Sequence, residues 1–159
     1  MLTAFNMSSL EKRIHDLYRE KGFIQPCDIT LHAFNEWVNI ETIYRHGDTN
    51  NFELHNAYKI FIDPGKSLPE RRIEMAHEIA HIVLHSGNQI QMALLARSKQ
   101  EWQANRFAMY ALVPSLMLIR EIGTNDVDQT FTSELAFIFG VTCQFMIERL
   151  KLLKEDMIL

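Results

Sequence analysis

Apolar and polar positions along this chain follow two different periods. From Ser8 onward, Leu10, Ile14 and Leu17 recur at helical spacing behind a Ser8/Glu11 capping box, and Gly22 stops the run. Pro26 and Asp28 precede a second short helix over 29–37, with Asp28 as its expected N-cap. The period then drops to two: Ile40, Thr42 and Tyr44 share one face of a strand within 39–45. Residues 47–51 read as a turn, 52–55 and 58–63 as two further strands, and Pro64-Gly65 ends the last. A sheet of about three short strands needs helices packed on it to be stable. The strand at 58–63 is expected to be an edge of that sheet.

A second capping box, Ser67-Leu68-Pro69-Glu70, opens a helix predicted to reach about His85, with Gly87 as its stop. Apolar residues lie nearly all round it, from Ile73 to Leu84, which predicts a buried helix. It nevertheless carries His77, Glu78 and His81, and buried ionisable groups are costly without a purpose. Residues 88–98 are ambiguous, with one apolar turn around Met92 to Ala96. Further helices are predicted over 100–112, 115–122, 132–139 and 142–155, the last two split by Gly140. The pattern is that of an α+β protein. Its expected organisation is a core over 1–122 that includes the N-terminal helices, and a packed C-terminal helical segment over 123–159.

Composition narrows the function. A chain of 159 residues, 47% hydrophobic and 23% charged, buries a core without staples, so a bound metal would serve chemistry rather than folding. Its net charge of −4 argues against a dedicated nucleic-acid binder. Cys27 and Cys143 are far apart in sequence and form no CxxC pair, which leaves no thiolate zinc site and fits a reducing compartment. The N-terminus lacks a basic stretch followed by an apolar one, and no apolar run reaches the ~18 residues of a membrane helix. These features set the expectation of a cytoplasmic protein with no membrane partner.

His77-Glu78-Ile79-Ala80-His81 is an HExxH motif. Histidines at i and i+4 lie on one helix face about 6 Å apart along the axis, so both rings reach one Zn2+ at about 2.0–2.1 Å. Glu78 flanks the open coordination position as the candidate general base. His85, at i+8, lies about 12 Å from His77 along the axis, too far to join both as a ligand. It is expected to cap the helix C-terminus or to support a ligand from behind. Glu101 on the next helix is the candidate third ligand, completing a His2Glu set, and Ala104 and Ala108 let that helix approach closely. Asn105, one turn after Glu101, is placed to accept the Nδ1–H of His77. Tyr58, His55 and His85 are candidate oxyanion donors.

The runs HEIAHIVLH and EWQANRFAMYALVP resemble the ImmA/IrrE family of zinc metallopeptidases, well over residues 39–117 and loosely at the flanks. That family is similar to gluzincins, with HExxH and a downstream ExxxD. The resemblance implies a minimal gluzincin-like core in which His77, His81 and Glu101 hold zinc and Glu78 is the base. Asn105 stands where gluzincins have an acidic residue. It also implies a regulatory protease that cleaves a helix-turn-helix repressor in a phage, mobile-element or stress-response setting, with the repressor supplied as a separate chain. A competing reading is a zinc-stabilised regulatory binding protein with vestigial peptidase activity.

Residues 131–155 imitate a helix-turn-helix: Ala136 is small, Gly140 marks the turn and Thr142 suits an N-cap. The basic residues Arg149, Lys151 and Lys154 come late on the second helix and are opposed by Glu148 and Glu155. The segment is therefore expected to engage protein rather than DNA.

Overall fold

The computed structural model describes residues 7–38, 40–54, 57–84 and 94–158. Its elements in chain order are helix α1 (Ser9–Lys21), a 3-10 turn (Pro26–Asp28), α2 (Leu31–Val38), strands β1 (Ile40–Tyr44), β2 (Asn50–Leu54) and β3 (Ala57–Ile62), then α3 (Leu68–Leu84), α4 (Leu94–Leu112), α5 (Ser115–Ile122), α6 (Gln129–Phe139) and α7 (Cys143–Ile158). This is an α+β fold. The chain divides into two compact units, one of Met1–Ile29 with Met109–Leu159 and the other of Thr30–Ala108.

The second unit holds the sheet. Its strand order is β1-β3-β2, with β1 parallel and β2 antiparallel to β3. β3 is thus the central strand, which corrects the expectation that 58–63 is an edge. Ile60 and Ile62 are fully buried on one face while Phe61 stacks on Phe52 across the other. A strand apolar on both faces belongs in the middle of a sheet. β2, with Asn50, Asn51 and Glu53, has the polar composition of an edge. It starts within the stretch read as a turn.

Three helix starts also differ from expectation. Asp28 does not cap α2; its carboxylate accepts from Ile24 N and Gln25 N, and Thr30 Oγ1 accepts from Ala33 N instead. α4 begins at Leu94 rather than near residue 100. α6 begins at Gln129 because Asp128 caps it by accepting from Phe131 N at 2.8 Å.

In the first unit, α6 and α7 cross at 103° about Gly140, whose φ of 62° is the left-handed conformation a glycine adopts readily. Arg149, one of the late basic residues of α7, is fully buried. Its Nε donates to Val113 O at 2.9 Å, its Nη2 donates to Ser115 Oγ, and the Glu11 carboxylate lies 3.7 Å away. Pro114 breaks the chain between α4 and α5, and the guanidinium satisfies the carbonyl freed there. Glu11 is consequently turned inward. Ser8 Oγ accepts from Glu11 N, as in a capping box, while the Glu11 side chain serves the core. The exposed face of α7 carries Gln144, Glu148, Lys151, Lys154 and Glu155, a balanced set of charges. Among the described residues no single helix is long and apolar enough to cross a membrane.

Candidate metal centre

The site is built from α3 and the part of α4 that lies in the same unit. α3 opens with a reciprocal capping box: Ser67 N donates to Glu70 Oε2 at 2.8 Å, and Glu70 N donates to Ser67 Oγ at 3.4 Å. The helix buries one stripe, formed by Met75, Ala76, Ile79 and Ala80. It is not buried all round, since Val83 is 40% exposed. His77 and His81 border the buried stripe, and His81 is only 6% exposed. On α4, Ala104, Phe107 and Ala108 face the core, while Glu101 and Asn105 project one turn apart.

His77, His81 and Glu101 converge. Nε2 of His81 lies 3.0 Å from Nε2 of His77. Glu101 Oε2 is 3.2 Å from His77 Nε2, and Glu101 Oε1 is 3.5 Å from His81 Nε2. His77 Nδ1 lies 3.0 Å from Asn105 Oδ1, an acceptor, which suits a proton on Nδ1 and leaves Nε2 as the nitrogen turned toward His81 and Glu101. Two imidazole nitrogens and a carboxylate are thus brought close enough together to hold one cation. The spacing fits one: ligands on a tetrahedral ion at about 2.0–2.1 Å stand about 3.3 Å apart. The donor set, two imidazoles and a carboxylate, suits a divalent metal.

Glu78 is turned toward the sheet, where its Oε2 accepts from Asn51 Nδ2 at 2.5 Å. Burial pushes its carboxyl above the ordinary range, against the Asn51 hydrogen bond and nearby His77, which both pull it down. Glu101 and Glu74 add to the upward push. Asn51 is a site residue that the linear reading missed. Its signal is the alternation of Thr49, Asn51 and Glu53, which the turn-like composition of 47–51 hides. Tyr58 lies half-buried on the central strand. His85 and His55 lie outside the described residues.

A family model, Peptidase_M78, the IrrE N-terminal-like domain, matches residues 32–151. The chain is similar to the phage-like element PBSX protein XkdA of Bacillus subtilis (strain 168), with 28% identity over 149 residues, 94% of this chain and 75% of that protein. It is also similar to the uncharacterized protein YqaB of the same strain, with 26% identity over 148 residues, 93% of this chain and 86% of that protein. Among solved structures, one described as a Mycobacterium tuberculosis transcriptional regulator matches with a TM-score of 0.67 and 15% identity, a likeness of fold. The match covers 91% of this chain but only 56% of that one.

Proposed function

The chain belongs to the IrrE N-terminal-like family of peptidases, and from that premise we propose that it is a zinc-dependent metalloendopeptidase with a regulatory protein substrate. The observation that carries this reading is the convergence of His77, His81 and Glu101 at 3.0–3.5 Å beside a half-buried carboxylate, Glu78. A zinc ion held there supplies Lewis acidity, polarising water and a peptide carbonyl. Glu78 takes the proton from the attacking water and delivers it to the departing amine nitrogen as the C–N bond breaks. Asn105 holds the His77 ring in the tautomer that leaves Nε2 free.

The metal assignment predicts one zinc per chain. His81→Ala and Glu101→Ala should each abolish stoichiometric zinc by elemental analysis, whereas Glu78→Gln should retain it, because Glu78 is not a ligand. Full zinc content in Glu101→Ala would remove Glu101 from the ligand set. The fold should survive these substitutions, since the chain buries its own core.

β2 is the strand on which substrate would lie. Among the described residues it pairs only with β3, which leaves one edge open to an extended peptide. Of neighbouring residues Phe52 and Glu53, one directs its amide toward β3 and the other outward. Proline at the outward position removes a single donor from the docking edge. Cleavage should fall roughly tenfold, the value of one main-chain hydrogen bond, with zinc unchanged. If neither proline slows a folded, zinc-loaded protein, β2 is not the docking edge.

The substrate we assign is a helix-turn-helix repressor. XkdA is named as a protein of a phage-like element, and the solved neighbour is described as a transcriptional regulator. Incubating the zinc-loaded protein with the repressor encoded beside its gene, followed by mass spectrometry, tests this directly. A discrete cleavage supports the assignment. Stable binding without cleavage would favour the alternative, a zinc-stabilised binding protein.

A further inference from the structure

Two polar clasps fasten β2 and the residue just before it to α3. Thr49 Oγ1 donates to Glu74 Oε2 at 2.5 Å, and Asn51 Nδ2 donates to Glu78 Oε2 at 2.5 Å. The match is metric: two residues along a strand advance about 6.6–6.8 Å, and four along a helix about 6.0 Å. Alternate residues of the strand segment therefore face successive turns of the helix.

The clasps differ in what they hold. Glu74 is also bound through its other oxygen by Lys66 Nζ, so it forms a structural ion pair. Glu78 is held by a neutral amide. An amide fixes the direction of a carboxylate without neutralising it, as a lysine or arginine would. It occupies one oxygen and leaves the second to accept a proton.

We infer that Asn51 is a positioning residue for Glu78: it ties Oε2 to the open-edge strand and leaves Oε1 to take the proton. The base is thereby aligned with the strand on which an extended peptide would lie. This inference rests on the peptidase reading above.

The test uses the full chain loaded with zinc and acetohydroxamic acid as the probe, a metal chelator whose proton needs an acceptor beside the metal. Asn51→Ala and the near-isosteric Asn51→Leu should each weaken its binding about tenfold by calorimetry, with zinc content unchanged. Thr49→Val, which loosens the same strand but not the base, should leave the affinity unaltered. In a Glu78→Gln background, Asn51→Ala should cost nothing further, because it acts through Glu78. Equal weakening by Thr49→Val, additive losses in the double variant, or no effect of Asn51→Ala would each overturn the inference. A wild-type chain that takes up no zinc would instead overturn the peptidase reading. In the metal-free protein, a melting cycle over Asn51→Ala and Glu78→Ala reads the pair without zinc, and additive Tm shifts there overturn the Asn51–Glu78 link on their own.

Discussion

Glu78→Gln should cleave its protein substrate 10²–10⁴-fold more slowly than wild type, the order lost when a general base is removed. The substitution is a clean one here. Glutamine keeps an oxygen that can accept from Asn51 Nδ2, so the side chain stays fastened to β2. It has almost the same volume as glutamate in a half-buried position. It cannot take a proton from water near neutral pH. Zinc content should be unchanged, and a time course at matched zinc loading reads the chemistry alone. Cleavage at the wild-type rate by a preparation free of contaminating protease would remove Glu78 as the base.

Arg149→Ala should destabilise the protein by about 3–5 kcal/mol, the cost of breaking a buried ion pair by removing one partner. The guanidinium is wholly buried and serves Val113 O, Ser115 Oγ and the Glu11 carboxylate together. Without it Glu11 remains as a buried charge, and its carboxyl is already raised above the ordinary range, chiefly by burial. A raised folded-state pKa means that the group's favourable contribution is fully present below the unfolded value of 4.5 and is lost as pH rises through the folded value. Loss of Arg149 raises that folded value further. The defect should therefore be largest near pH 7 and shrink toward pH 5. Urea unfolding of both proteins across this range measures it, and a defect under 1 kcal/mol at pH 7 would show that the network is dispensable. Because Arg149 is structural, an attempt to weaken DNA contacts on α7 has to use Lys151 and Lys154 instead.

Features set by near neighbours in the chain could be read from the residue string. Ser67 and Glu70 sit three apart, so the reciprocal box that opens α3 was legible. So was the common face of His77 and His81, because i and i+4 meet on any helix. Gly22 and Gly140 were legible as helix stops, since each takes a backbone conformation that other residues resist. The α+β class followed from the change of period near residue 39. Local spacing also put Glu101 and Asn105 one turn apart. That the first would stand 3.2 Å from His77 Nε2 and the second 3.0 Å from its Nδ1 depended on how two helices approach.

What joins residues far apart in the chain was decided by packing. Strand order is one case: 58–63 and 52–55 both look like short strands, and only pairing made β3 central and β2 the edge. Asn51 is another, a polar residue near a turn until the sheet carries it to Glu78, 27 positions on. Arg149 is the third. Spacing puts it on the apolar stripe of α7 with Phe145, Met146 and Leu153, but only packing brings the carbonyl left open at Pro114 and the carboxylate of Glu11 to meet its charge. Local spacing constrains a helix because its hydrogen bonds close within four residues, whereas sheet neighbours and buried ion pairs form only after distant segments have met.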